Sequence, residues 1–255
     1  MLLAIDVGNT NIVFGLLEGD AIVHQFRIET IRGRTSDEYA VLFYSLLGLH
    51  QVDPKRIDSA IIASVVPPLT EPMVSLVKGS FHLDAAVVSS QMKLGMHVLY
   101  DNPDEVGADR IVNAIAAFDR FRGGCIVVDF GTATTFDCVS PKGEYLGGTI
   151  APGIQISADA LFARASKLPR IELTRPALVV GKNTVHSMQS GIVYGYVGLV
   201  DGLVERLAAE LGFPLSVIAT GGLAKLIVPL TKTVQHVDDE LTLRGLYLIH
   251  QRITA

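Results

Sequence analysis

A chain of 255 residues that is 49% hydrophobic, with mean hydropathy +0.40, is too apolar to be disordered and long enough for two lobes. Its net charge is −5 and its pI about 5.8, and no Lys/Arg cluster offers the basic face that a phosphate backbone needs, which argues against nucleic acid as a partner. No run approaches the ~20 apolar residues of a bilayer span, and the N-terminus enters an apolar run with no basic segment before it, so neither a membrane anchor nor a signal peptide is expected. Cys125 and Cys138 lie in apolar, strand-like runs and read as reduced core thiols of a cytoplasmic protein; no Cys/His spacing suggests zinc.

Leu2 to Leu16 reads as strand, polar turn, strand. Leu2 to Ile5 and Ile12 to Leu16 are apolar, with Asp6, Gly8, Asn9, Thr10 and Asn11 between them. A tight hairpin does not need so many hydroxyl, amide and carboxylate groups. Gly8 lets the backbone approach a ligand, turn amides can cradle phosphate oxygens, and Asp6 is placed to hold a metal ion, directly or through water. An ordinary Asx-type turn is the competing reading. Residues 21–28 add a third strand. Thr35 to Leu49 has helical periodicity, with Ser36 as N-cap and Tyr39, Leu42, Phe43, Leu46 and Leu47 as the apolar stripe. A buried strand over 58–66 ends at Pro67-Pro68, a helix runs from Leu69 to Lys78, and residues 85–88 form a strand. Meander followed by alternation predicts a mixed sheet with helices on its faces.

Residues 98–118 join the halves. After the polar turn Tyr100 to Glu105, Gly107-Ala108-Asp109-Arg110 opens a helix with Ile111, Ile115 and Phe118 at helical spacing. Arg110 in a first turn opposes the helix dipole, and a bound anion would remove that conflict. After Gly123-Gly124 the opening pattern recurs: Ile126 to Asp137 repeats strand, Asp-x-Gly, Thr-rich turn, strand, with Asp129 matching Asp6 and Gly131 matching Gly8. Two such turns point to an internal duplication and a two-lobed nucleotide site. The meander continues through Tyr145 to Ala151, and Ile156 to Ala165 is helical. The irregular stretch 166–184 is not a Walker A loop, since Pro176 stands at the first glycine position and Asn183 follows Lys182. Gln189 to Leu211 is a long helix carrying Gly191, Gly195, Gly198 and Gly202 on one face; glycine costs ~1 kcal/mol in a helix interior, so close packing is expected there, against a partner helix or the protein's own sheet. A strand over 217–222 ends in Thr220-Gly221-Gly222, which leaves room for a base or ribose or makes a plain turn. The last helix, Asp239 to Arg252, is expected to pack on the join. The seven histidines are scattered and read as surface or satisfied core residues.

Two lobes opened by Asp-x-Gly turns, plus a late Thr-Gly-Gly turn, resemble the acetate and sugar kinase, Hsp70 and actin superfamily. Within it, the sequence closely resembles the type III pantothenate kinases over nearly its whole length. The residues that carry this are Asp6 to Asn11, Ser64 to Pro67, Asp101-Asn102-Pro103, Gly107 to Arg110, Asp129 to Thr135, Gly147 to Gly153 and Thr220 to Gly222. The Gly-Ala-Asp-Arg segment is the specific part.

The resemblance implies an α/β fold of two duplicated ribonuclease H-like lobes, each a mixed five-stranded sheet with flanking helices, with a nucleotide cleft between them. Residues 1–118 would form the N-terminal lobe with the first phosphate loop, and 119–255 the C-terminal lobe with the second loop and the adenosine motif. It implies phosphorylation of pantothenate by ATP with Mg2+, the first step of coenzyme A biosynthesis. By position, Asp6, Val7, Gly8, Asn9, Thr10, Asn11, Ile12, Val13 and Thr132 would bind ATP, with Asp6 at magnesium. Asp129 would hold a monovalent cation, K+ or NH4+. Asp109 would be the general base. Tyr100, Gly107, Ala108, Asp109, Arg110 and Thr184 would hold pantothenate, Thr184 from the second subunit of a homodimer. The chemistry agrees: phosphoryl transfer to an alcohol needs positioning, charge stabilisation and one carboxylate to accept a proton, and Arg110 could meet pantothenate's carboxylate bidentately. The alternatives on the same scaffold are another small-molecule kinase, a polyphosphate hydrolase, or a non-catalytic regulator, since some relatives were first described as accessory factors for transcription.

Overall fold

The computed structural model describes residues 1–89, 92 and 94–254. In chain order the elements are β1 (Leu2–Val7), β2 (Asn11–Glu18), β3 (Ala21–Glu29), α1 (Ser36–Leu49), β4 (Ser59–Ser64), α2 (Pro67–Phe81), β5 (Ala86–Val87), β6 (His97–Val98) and α3 (Ala108–Phe121). They continue as β7 (Cys125–Phe130), β8 (Ala133–Val139), β9 (Glu144–Pro152), α4 (Ile154–Arg164), α5 (Thr184–Leu211), β10 (Ser216–Thr220), α6 (Ala224–Ile227), β11 (His236–Val237) and α7 (Leu241–Thr254). The chain forms two compact units. The first holds Met1–Met96, Tyr100–Ala116 and Leu241–Ala255; the second holds His97–Leu99 and Ala117–Glu240.

The sheet of the first unit has the order β3-β2-β1-β4-β5, with β1 antiparallel to β2 and parallel to β4. The alternation along β1 and β2 sends Leu3, Ile5, Val7, Ile12, Phe14 and Leu16 into a core shared with Tyr39 and Phe43 of α1 and Leu69 and Met73 of α2. Phe14 stacks on Phe43 with ring centroids 4.6 Å apart. The other face of the sheet receives α7: a side chain at Gly15 of β2 would stand 2.8 Å from Leu243. Helices on both faces are what the meander-then-alternation pattern predicted.

Two local readings are corrected. The cap of α1 is Thr35, not Ser36. Its hydroxyl accepts the Glu38 amide at 3.3 Å and the Glu38 carboxylate accepts the Thr35 amide at 2.8 Å, a reciprocal capping box that Ser36 cannot form. Pro67 and Pro68 do not merely stop the preceding strand; they are the first residues of α2, where the missing proline N–H has no helical partner to lose.

The sheet of the second unit has the order β11-β10-β7-β8-β9-β6. Its central strand β7 is antiparallel to β8 and parallel to β10, the same relations that β1 has to β2 and β4. The duplication read from the two Asp-x-Gly turns is therefore a duplication of topology. This sheet has six strands rather than five, because His97 and Val98 pair in parallel with Glu144 and Tyr145 at the free edge of β9. Cys125 and Cys138 are buried thiols that form no disulfide, and burial pushes the Cys125 thiol pKa up to about 12.

The long helix α5 starts five residues before the apolar periodicity does, at an Asn183 cap whose side chain accepts the His186 amide at 2.9 Å. Its glycine face does not lie on the protein's own sheet: a side chain at Gly191, Gly195 or Gly198 would meet no described atom within 4 Å. The expected packing against the protein's own sheet is therefore not found on this face.

The last helix does pack on the join. Thr242 Oγ1 donates to the buried Asn113 Oδ1 at 2.8 Å, and a side chain at Gly245 would collide with the Val112 carbonyl of α3. Backbone in that position cannot yield as a flexible side chain would. Gly245→Val is expected to destabilise the first unit by about 1–3 kcal/mol or more, read as a lowered urea midpoint. An unchanged midpoint would show that α7 shifts freely on α3.

Candidate active site

In the first unit the polar turn follows β1. Asp6 is half-buried at the strand's end, paired across to Val13, and Gly8 N donates to the Asn11 carbonyl at 3.0 Å, which closes the turn with Asn9 and Thr10 exposed at its tip. The turn is braced from behind. Thr30, just past β3, donates its hydroxyl to the Gly8 carbonyl at 2.7 Å and its amide to the Thr10 carbonyl at 3.0 Å. Thr30 was not singled out in the sequence, and no local signal marks it, because its partners lie across two strands.

Gly107 to Arg110 open α3 in the same unit. The Asp109 carboxylate accepts the Arg110 amide at 2.8 Å, and Arg110 is buried at 8% exposure. Gly107 is required by its neighbour: a side chain there would come within 2.6 Å of Asp109 Oδ1 and 3.4 Å of Val65. Desolvation raises the Asp109 pKa above the ordinary carboxylate value, opposed by the Arg110 amide hydrogen bond and then by the Arg110 charge. A raised carboxylate pKa is what a general base needs to be useful near neutral pH. Tyr100 is half-buried at the bend after β6.

In the second unit the loop after β7 repeats the first with one residue fewer. Gly131 N donates to the Ala133 carbonyl at 3.0 Å, and Asp129 pairs across to Thr135 and, on the other side, to Thr220. Thr132 is exposed in this turn. The Thr-Gly-Gly turn is built against it: Gly221, at φ +91°, lies where a side chain would stand 2.6 Å from Asp129 Oδ1. This glycine serves close approach to Asp129, while Gly222 is the exposed one with no described atom near it. Beneath this turn the fully buried Asp137 accepts hydrogen bonds from the Tyr145 hydroxyl at 2.7 Å and from Thr135 Oγ1 at 3.1 Å, a network that sequence reading missed. Thr184 stands at the first turn of α5, on the rim of an apolar groove of about 570 Å³ lined by Pro152, Leu161, Met188, Gly191 and Gly195.

Among the described residues no group of three or more His, Cys, Asp or Glu is placed to hold a metal, so each loop offers a single carboxylate, Asp6 or Asp129. That donor set suits a hard cation that takes most of its oxygens from phosphate and water, as Mg2+ does. No helix among the described residues is long and apolar enough to cross a membrane.

Paired mixed sheets of matching strand order, each with a central strand ending in an Asp-x-Gly turn, define the class: the sugar kinase and actin fold. Solved structures sharing it include an inorganic polyphosphate/ATP-glucomannokinase from Arthrobacter sp. strain KM (TM-score 0.51, 14% identity, covering 100% of this chain and 99% of that one). A protein from Campylobacter jejuni assigned to the Baf family of transcriptional activators matches with TM-score 0.61 at 18% identity over 99% of this chain and 98% of that one. The family is narrower than the fold. The model of the type III pantothenate kinase family matches residues 2–206. The type III pantothenate kinases of Anaeromyxobacter sp. (strain Fw109-5) and Myxococcus xanthus (strain DK1622) are 58% and 55% identical to this chain over 252 residues, covering 99% of it and 99% and 98% of their own lengths. The chain belongs to the type III pantothenate kinase family.

Asp109→Asn is expected to lower kcat by about 10²–10⁴-fold. The wild-type rate should fall as pH drops through the raised Asp109 pKa, with a midpoint above the ordinary aspartate value of about 3.9. Because the fold disfavours the charged form, stability from this group is lost as pH rises through that pKa, so at neutral pH the asparagine variant should melt no lower than wild type. A near-normal rate in the variant would place the base elsewhere.

Proposed function

We propose that the protein transfers the γ-phosphoryl group of ATP to the terminal hydroxyl of pantothenate, giving 4'-phosphopantothenate in the first step of coenzyme A biosynthesis. The observation that carries this reading is Asp109: an enclosed carboxylate of raised pKa at the start of α3, beside a buried arginine, inside the Gly-Ala-Asp-Arg segment. Family membership supplies the substrate class, and the residues supply a consistent chemistry.

In this reading Asp6, Val7, Gly8, Asn9, Thr10, Asn11, Ile12 and Val13 bind the phosphates of ATP, together with Thr132. Tyr100, Gly107, Ala108 and Arg110 hold pantothenate, with the Arg110 guanidinium on its carboxylate. Asp109 accepts the hydroxyl proton as that oxygen bonds to the γ-phosphorus; the bond from the γ-phosphorus to the bridging oxygen breaks and ADP leaves. Asp6 stands where Mg2+ would be held and Asp129 where K+ or NH4+ would be; bound there, such cations neutralise the charge that spreads over the phosphoryl oxygens. We place the protein in the cytoplasm, in keeping with its buried thiols, which form no disulfide.

The protein acts as a homodimer in this reading. The glycine face of α5 is open, and Leu161, Phe162 and Val185 around its groove are 42%, 44% and 39% exposed, which is apolar surface suited to a second copy. Thr184 on the groove's rim would then be offered to the neighbouring subunit.

The test is ADP release with ATP, Mg2+ and K+ against a panel of acceptors. Release with pantothenate alone is expected; release with glycerol or acetate but not pantothenate would overturn the reading. Replacing K+ by Na+ is expected to lower the rate. Gly195→Arg is expected to give a monomer by analytical ultracentrifugation with much reduced turnover, and an active dimeric variant would remove the interface from this face.

A further inference from the structure

The segment that follows β3 is tied to the first turn by more than Thr30. Arg32 Nη2 donates to the Asn9 side-chain oxygen at 3.3 Å, which holds an exposed guanidinium at the tip of the turn. Several of the protein's other surface arginines have carboxylate partners: Arg56 with Glu18, Arg120 with Asp238, Arg122 with Asp119 and Arg170 with Asp159. Nearby Arg34 lies over the Tyr39 ring, 5.9 Å from its centre. Among the described residues no carboxylate lies within ion-pair distance of Arg32. Its tether is a neutral amide in the turn itself.

The turn also lacks positive charge. Asp6 is its one acidic side chain, and Asn9, Thr10 and Asn11 carry no charge. A triphosphate held here would meet a carboxylate and backbone dipoles, in a protein of net charge −5. Phosphoryl transfer is accelerated mainly by positive groups fixed where charge develops. A guanidinium meets that need, because it stays charged at any working pH and presents paired donors to phosphate oxygens.

We infer that Arg32 is a nucleotide-binding residue, its guanidinium directed to the terminal phosphates of ATP, with Asn9 holding it in place. This rests on Asp6 to Val13 being the phosphate loop. Thr30 fixes the segment to the turn's backbone, so the arginine moves with the loop that it serves.

Calorimetric titration of the Mg2+ complexes of ATP and ADP, and of AMP, with the full-length protein tests the assignment. Arg32→Gln is expected to weaken ATP about tenfold, the scale of one charge-assisted hydrogen bond, with AMP and the KM for pantothenate within about twofold of wild type. Arg32→Lys should recover part of the loss. Arg34→Gln serves as the charge control and should leave ATP binding unchanged. The assignment is overturned if Arg32→Gln leaves ATP binding within twofold, if AMP weakens equally, or if Arg34→Gln has the same effect. Gly8→Val separates the two levels, because a side chain there would crowd the Asn11 carbonyl at 3.0 Å. Weakened ATP in Gly8→Val with a silent Arg32→Gln removes only the arginine. If both variants bind ATP normally, the phosphate-loop reading falls with it.

Discussion

Each sheet is organised about one central strand, β1 or β7, that is covered on both faces and hydrogen-bonded on both edges. A strand held that way has little freedom of register, since a one-residue slip would send every buried side chain to the opposite face of the sheet. Its last residues are therefore fixed in space as firmly as its core. In both units that fixed end carries an aspartate, and the chain reverses through a glycine whose amide closes the turn at 3.0 Å. The carboxylate and the exposed turn are thus placed by the buried apolar strand behind them. The geometry of these loops depends on hydrophobic packing several residues away.

The start of α3 works by a different constraint. Asp109 suits a helix N-terminus electrostatically and Arg110 does not, yet both are held there, one enclosed and the other buried. Gly107 makes room for the carboxylate, and the Arg110 amide fixes its direction. The result is a carboxylate whose charged form is penalised by burial and favoured by a single hydrogen bond and a neighbouring cation, a balance suited to a group that must give and take a proton.

Much of this was legible in the sequence, and the exceptions have physical reasons. Short apolar runs broken by polar turns marked the strands β1, β2, β7 and β8, and the repeated Asp-x-Gly marked the duplication, because both are local patterns set by burial and by turn geometry. The α1 cap was misplaced by one residue because Ser36 and Thr35 are both acceptable caps in isolation, and only the reciprocal bond with Glu38 selects Thr35. The sixth strand of the second sheet was missed because His97 and Val98 have no pattern of their own; they become a strand by pairing with β9.

The sequence by itself determined most of the elements, the doubled architecture, the family, and which aspartates and glycines belong to the two turns and the helix start. These follow from near-neighbour chemistry: side-chain periodicity, turn residues and short motifs. Only the tertiary structure decided which contacts those residues make. It put Thr30 behind the first turn, Gly221 against Asp129, Gly245 against Val112, and left the glycine face of α5 open. Each of these joins positions far apart in the chain or records that nothing is joined, and no local pattern encodes such proximity. The polar stretch after β1 therefore reads as a loop from sequence alone, and as a braced loop with an arginine at its tip only once β3 is seen folded back beside it.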